Sequence, residues 1–342
     1  MRRKRLSLLL VVVGIAGIVA GLSVSVGNAG PGKAAKAAKS YKVYLIPKFI
    51  GIPVFTENGK GAKEAGKKLG DSVTYNGPTD ATPTSQVSFI DAAARQGYNA
   101  IIISANDPNA VAPALNRAKA RGVKVISYDA DTARSARIIY VSPPAAKDIG
   151  YAQVEWVGSQ IGYKGQIAIL SATPTAANQN TWIKFMKAAL KTKKYRNMKL
   201  VKVAYGNDND TKSAQETQAL LQAYPNLKGI ISPTTVGVAA AARVLSQAKK
   251  CSVRLTGLGL PSQMRTYVKS GCVKKVGLWS ERDFGYLAEY VAHNVLTGKL
   301  TGKAGQSFKA GRLGKRSVKK GGVVILSKPL VFTKKNIDKY HF

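Results

Sequence analysis

Histidine and cysteine are nearly missing from this 342-residue chain, which has two of each. His293 and His341 leave little for a zinc site or a Ser-His-Asp triad, which argues against an enzyme that relies on histidine. Cys251 and Cys272 form no CxxC pair and no Cys/His cluster, so no metal site is expected. Each stands just before an expected strand. In an oxidising compartment one disulfide could join them, and two buried free thiols are the alternative. A phosphate loop is missing too, because "GKGAKEAG" at 59–66 lacks the GK[ST] signature. The carboxylates Asp129, Glu281 and Asp283 have no recognisable proton-relay partner and no glycosidase spacing. No catalytic residue and no cofactor is expected, and the chain reads as a non-enzyme.

Acids are scarce as well: 17 Asp and Glu face 53 Lys and Arg, a formal charge of +36. Four of those positives, Arg2, Arg3, Lys4 and Arg5, precede an uncharged stretch at 6–26 and then Gly27, Asn28 and Ala29. This pattern reads as an export signal over residues 1–30. The apolar stretch of about 20 residues is also long enough for an uncleaved membrane anchor. No cysteine follows it, so a lipid-anchored precursor is not expected. Residues 31–40 read as a flexible basic leader. The expected location is therefore the periplasm or cell envelope.

Without the signal the charge is still +32, a field that favours anionic surfaces. The lysines are spread over helix faces, as with Lys60, Lys63, Lys67 and Lys68, rather than gathered into one aromatic-interleaved stripe. They read as a solvated basic surface suited to an acidic envelope, and nucleic acid is not an expected partner.

From residue 41 short apolar runs alternate with helical patterns, the signature of parallel sheets flanked by helices. Strands are expected at 43–47, 72–75, 100–104, 123–128, 166–170, 200–204, 229–232, 254–258 and 274–278. Val87, Ile90 and Ala94 share one helical face, as do Val154, Val157 and Ile161. After "SPPAAKDIG" the rhythm restarts, so the fold class is α/β with two Rossmann-like, doubly wound lobes in tandem. Such lobes place a cleft at the carboxyl ends of their strands.

The residues expected at those ends are informative. "IPKFIGIPVFTENGKGAKEAGKKLG" at 46–70 places Lys48 and Phe55 between the first strand and a helix expected at 61–69. Asp129 follows "VISY"; Asp131 nearby is expected to cap a turn or pair at a hinge. Asn178 and Gln179 stand after the fifth expected strand, with capping of the next helix as the alternative role. Pro233, Thr235, Trp279, Glu281 and Asp283 occupy similar positions, and Trp182 and Phe185 read as core at helical spacing. Phe55 reads as a cleft-lining ring or as core, and Trp279 as a cleft ring or as packing between lobes. Carboxylate and amides for paired hydroxyls, with flat rings for a C–H face, suit an uncharged, hydroxyl-rich small ligand.

From residue 41 to Phe342 the chain resembles a type I periplasmic sugar-binding protein of an ABC importer, most of all the rhamnose-binding and autoinducer-2-binding branch. The stretches that carry the resemblance are "IPKFIG", "YNGPTDATPTSQVSFIDAAARQGYNAIIISA", "NQNTWIKFMK", "GLPSQMRTYVKSG", "LWSERDFGYLAEY" and "VFTKKNIDKYHF". It implies two lobes joined by three hinge strands, the N-terminal lobe spanning 41–142 plus about 281–320. The C-terminal lobe would then span 143–280 plus about 321–342. It also implies a small sugar as ligand, a membrane permease as partner, and a monomer. Ligand contacts carried over from autoinducer-2 receptors fall on Lys48, Asp129, Asn178, Gln179, Pro233 and Thr235. Where those receptors have an acidic residue this chain has Asn178, and "NQNTW" looks closer to the rhamnose branch. Gly259 stands where ribose and galactose relatives carry an aspartate, which argues against those sugars. An autoinducer-2 receptor and the ligand module of a sensory complex are the alternatives; a sugar-responsive repressor would need a DNA-binding headpiece that residues 1–40 lack.

Overall fold

A computed structural model describes residues 40–342; the expected export signal and nearly all of the basic leader lie outside the described residues. Along the chain run β1 (Lys42–Ile46), α1 (Pro53–Leu69), β2 (Ser72–Tyr75), α2 (Val87–Arg95), β3 (Ala100–Ile103), α3 (Pro108–Ala120), β4 (Lys124–Tyr128) and β5 (Ile139–Ser142). Next come α4 (Ala146–Ile161), β6 (Gly165–Ser171), α5 (Ala177–Leu190), β7 (Met198–Tyr205), α6 (Asp210–Ala223), β8 (Leu227–Ser232) and α7 (Thr235–Gln247). β9 (Arg254–Gly257), α8 (Pro261–Lys269), β10 (Val276–Leu278) and α9 (Glu281–Leu296) follow. The tail holds a hairpin of β11 (Ser307–Lys309) and β12 (Lys315–Ser317), then β13 (Val323–Ile325) and β14 (Leu330–Phe332).

Strands such as "AIII" in β3 are apolar throughout because helices cover both faces of the sheet. The first sheet has the order β13-β5-β4-β3-β1-β2 and the second β7-β6-β8-β9, with every pairing in both parallel. β10 joins the second sheet through an isolated parallel bridge, Leu258 to Gly277, and pairs antiparallel with β14. The chain therefore passes between the sheets three times: after β5, after β10 and between β13 and β14. This is the two-lobed α/β architecture that the strand rhythm implies.

Three expectations change. The strand β5 was not expected, because "IIYVS" runs straight into the Pro-rich break. Val323–Ile325 pairs in register with Tyr140–Ser142 in the first sheet, so the boundary expected near residue 321 falls after residue 325. α1 begins at Pro53, eight residues before the expected start. Its glycines lower helix propensity, yet tertiary packing requires them. A Cβ on Gly61 would stand 1.8 Å from the Arg282 carbonyl oxygen, and one on Gly285 would stand 1.8 Å from that of Asn58. The backbones of α1 and α9 touch where any side chain would intrude. Pro53, with its fixed φ, suits the first turn of α1.

Cys251 and Cys272 are joined, with Cα atoms 4.8 Å apart and a sequence separation of 21. The bridge Leu255 to Val273 brings their flanking segments together.

Two outcomes follow from this packing. Gly61→Ala should destabilise the fold by about 1–3 kcal/mol, the usual cost of overpacking; a wild-type midpoint in urea would contradict the close helix approach. Reduction of the disulfide should cost roughly 3 kcal/mol, as expected for a loop of this length, and an unchanged midpoint with reductant present would contradict it.

Candidate functional site

The carboxyl ends of the parallel strands of both lobes converge on one cleft, the place where ligands bind in open α/β sheets. From the first lobe, Lys48 follows β1, Asp129 follows β4, and Phe55 and Asn58 lie on the first turns of α1. From the second, Asn178, Gln179 and Trp182 lie at the start of α5, Asp208 follows β7, and Pro233, Thr234 and Thr235 follow β8. Trp279 and Glu281 stand at the crossing after β10.

All eight residues expected at the site line this cleft: Lys48, Phe55, Asp129, Asn178, Gln179, Pro233, Thr235 and Trp279. Phe55 reaches it from a helical turn rather than a loop. Trp182 is buried, as its helical spacing implies, but also forms part of the cleft wall. Phe185 and Asp283 do not line it; Asp283 accepts from Arg312 Nε at 2.8 Å. Asp208 and Thr234 were missed. Asp208 sits in "YGNDND" at a positive φ of 49°, and four polar residues in succession gave no pattern to single it out. Asn58 and Glu281 were visible as polar residues at the right strand ends.

The polar centre is a relay. Lys48 Nζ donates to Asn178 Oδ1 at 3.2 Å, and Asn178 Nδ2 donates to Asp129 Oδ1 at 3.0 Å. Lys48 is only 4% exposed, and its loop is pinned from behind: Asn106 Nδ2 donates to the Lys48 carbonyl at 2.9 Å, and Gln86 Nε2 to that of Pro47 at 2.7 Å. Asp129 has a left-handed φ of 56°, which aspartate tolerates better than most residues. Ser104 Oγ donates to its Oδ2 and the Tyr140 hydroxyl to its carbonyl, both at 2.7 Å, so both side chain and turn are held. Asp131 is turned away, paired with Arg137 at 2.7 Å. Gln179 Oε1 accepts from Ser171 Oγ and Ala172 N at 2.7 and 2.8 Å, which locks the Gln179 amide against β6.

Two further acids depart from ordinary behaviour. Burial pushes the Asp208 carboxyl up; Lys48 and a short hydrogen bond from Thr234 oppose this, and the Asp129 charge adds to it. Glu281, 2% exposed, is pushed well above the usual carboxylate range by burial, with Asn58 pulling down and Asp129 pushing up. Asn58 Nδ2 donates to Glu281 Oε2 at 2.7 Å, and Asn58 Oδ1 has no partner among the described residues. The rings form a wall: Trp182 stands edge-on to Trp279 at 6.1 Å, and Trp279 to Phe284 at 6.3 Å. Phe49, outside the cleft, packs edge-on to Phe55 at 5.9 Å. An apolar wall facing alternating donors and acceptors is the chemistry for a polyol with a C–H face.

A family profile described as a periplasmic binding protein domain matches residues 43–300. Among solved structures, a sugar ABC transporter protein from Actinomyces odontolyticus is 43% identical, with 88% of this chain and 98% of that one covered and a TM-score of 0.72. An ABC transporter solute-binding protein from Clostridium phytofermentas with bound L-rhamnose is 35% identical, covering 89% and 98%, with a TM-score of 0.86. LsrB from Clostridium saccharobutylicum in complex with AI-2 is 26% identical, covering 88% and 100%, with a TM-score of 0.83.

The Glu281 environment has a pH signature. A carboxyl whose folded pKa is raised contributes stability that is full below its ordinary value of 4.5 and lost as pH rises toward the folded value. Glu281→Gln keeps an acceptor for Asn58 and removes the titration. The variant should therefore gain stability relative to wild type as pH rises from about 5 to about 8; parallel thermal midpoints across that range would contradict a buried neutral acid.

Proposed function

This chain belongs to the periplasmic binding protein family, and we propose that it captures a small neutral sugar outside the cytoplasm and delivers it to an ABC permease. The sugar is a 6-deoxyhexose, rhamnose or a close relative. The observation that carries this reading is the relay of Lys48, Asn178 and Asp129, in which an amide, not a carboxylate, occupies the central position. An aspartate at 178 would offer only acceptors, whereas the amide offers one acceptor and two donors. A ligand rich in neutral hydroxyls satisfies both halves of an amide without leaving a charge unpaired. The 35% identity to a solute-binding protein with bound L-rhamnose supports the same choice. In this reading the sugar lies with its C–H face on the Trp182 and Trp279 wall and its hydroxyls on the relay. Closure of the lobes excludes water and strengthens each hydrogen bond.

An autoinducer-2 receptor is the competing reading, supported by the 26% identity to LsrB and by Lys48, Asp129, Pro233 and Thr235 in the cleft. A site built around a carboxylate would meet Asn178 poorly. Each unpaired group in a closed cleft costs about 1–3 kcal/mol, enough for a preference of about ten-fold or more.

Calorimetric titration separates the two. L-rhamnose should bind at least about ten-fold more tightly than autoinducer-2, and Asn178→Asp should narrow the gap. Tighter binding of autoinducer-2 by the unmodified protein would overturn the assignment. Asp129→Ala should weaken sugar binding by roughly 2 kcal/mol or more, the scale of a hydrogen bond to a charged group; unchanged affinity in a folded variant removes Asp129 from the contact set.

A further inference from the structure

One edge of the second lobe carries a dense, acid-free run of positive charge. Residues 177–207 hold eight Lys and Arg and no acid, against 53 and 17 in the whole chain. They form α5, the following turn and β7, which is the edge strand of its sheet. Lys184, Lys187 and Lys191 project from one side of α5, and Lys199 and Lys202 from β7; all five are exposed. Of the eight cations, only Lys194 forms an ion pair among the described residues, with Glu155 at 2.7 Å. On α1, by contrast, lysines have acidic neighbours: Lys60 pairs with Glu57 and Lys68 with Glu64.

This edge is also concave. Lys184, Lys187 and Lys191 line a groove between α5 and β7, together with Ile183, Val203 and Tyr205. At 1.5 Å per residue the three ammonium groups are strung over about 10 Å of helix axis. A row of point charges along a groove fits a flexible chain with regularly spaced anionic groups better than a flat bilayer. Seven of the eight cations are lysine rather than arginine, so the groove offers charge without the bidentate fork that fixes one geometry. Tyr205 is its single ring, too little for the successive stacking platforms by which single-stranded nucleic acid is held. The cleft residues of α5, Asn178, Gln179 and Trp182, do not line this groove.

We propose that the α5–β7 groove is a docking surface for a linear phosphodiester polymer of the cell surface, one with polyol rather than nucleobase units. Lys184, Lys187 and Lys191 contact successive phosphates while the apolar floor accommodates the polyol carbons. Docking there leaves the ligand cleft unoccupied, so the protein can be retained in a polyanionic envelope and still bind its sugar.

The test uses the full chain with poly(glycerol phosphate) as probe, measured by affinity electrophoresis over a series of salt concentrations. The triple variant Lys184→Gln, Lys187→Gln, Lys191→Gln is compared with Lys60→Gln, Lys63→Gln, Lys67→Gln, which removes the same charge from α1. The α5 triple should lose about ten-fold or more in affinity and its log–log salt slope should flatten by about 2, as for three lost phosphate contacts on a single strand. The α1 triple should change affinity less than about two-fold, and both should bind L-rhamnose as wild type does. Equal losses in the two triples, tighter retention by phosphatidylglycerol vesicles or by single-stranded DNA than by the polymer, or no binding to the polymer would each overturn the proposal. Failure of rhamnose binding in the unmodified protein would bear on the ligand reading and not on the groove.

Discussion

A cation and a carboxylate of the first lobe, Lys48 and Asp129, meet a single amide of the second, Asn178. The amide turns its acceptor to the ammonium and a donor to the carboxylate, so one side chain satisfies both signs and couples the lobes. Almost every nearby feature serves this contact. Gln86 and Asn106 pin the turn that carries Lys48, and Ser104 and Tyr140 hold Asp129 in its left-handed turn. The lysine is buried, and a buried charge is tolerable only with partners. The bridge is also exchangeable: each of its bonds has a counterpart that a hydroxyl group can supply.

Acid placement follows from the same constraint. All 17 acids of the chain lie after residue 40, and several are spent inside. Asp129, Asp208 and Glu281 line the cleft, while Asp71 and Glu289 are buried elsewhere in the fold, and Asp71 Oδ2 meets His293 Nδ1 at 2.6 Å. Glu289 has no ion-pair partner among the described residues, and burial, with the Asp71 charge added, pushes its carboxyl well up. Acids drawn inward leave the outer surface more basic than the sequence total suggests, and residues 177–207 are one stretch without any acid.

Much of this was legible beforehand. Continuous apolar runs gave the parallel strands, because burial on both faces demands them, and polar residues just beyond those runs gave Lys48, Asp129, Asn178 and Gln179. The start of α1 was hidden because the stretch before Gly61, with Pro53 and Gly59, read as a turn; Gly59 is in fact helical and packs against the Tyr75 ring of β2. Asp208 was hidden because its place depends on a turn with two consecutive positive-φ residues, Asn207 and Asp208, which leaves no periodic trace. Trp182 was assigned by helical spacing to the core; the spacing cannot tell a ring that packs on the core from one that also borders a cleft.

The central claim is that a neutral sugar replaces the Asn178 bridge against a tryptophan wall. Two of the three tryptophans, Trp182 and Trp279, line the cleft, so their emission reports directly on occupancy. Titrating the full chain with L-rhamnose should give a saturable emission change with one site per chain. No saturable change with rhamnose or any other neutral sugar, or a change only with charged ligands, would contradict the account.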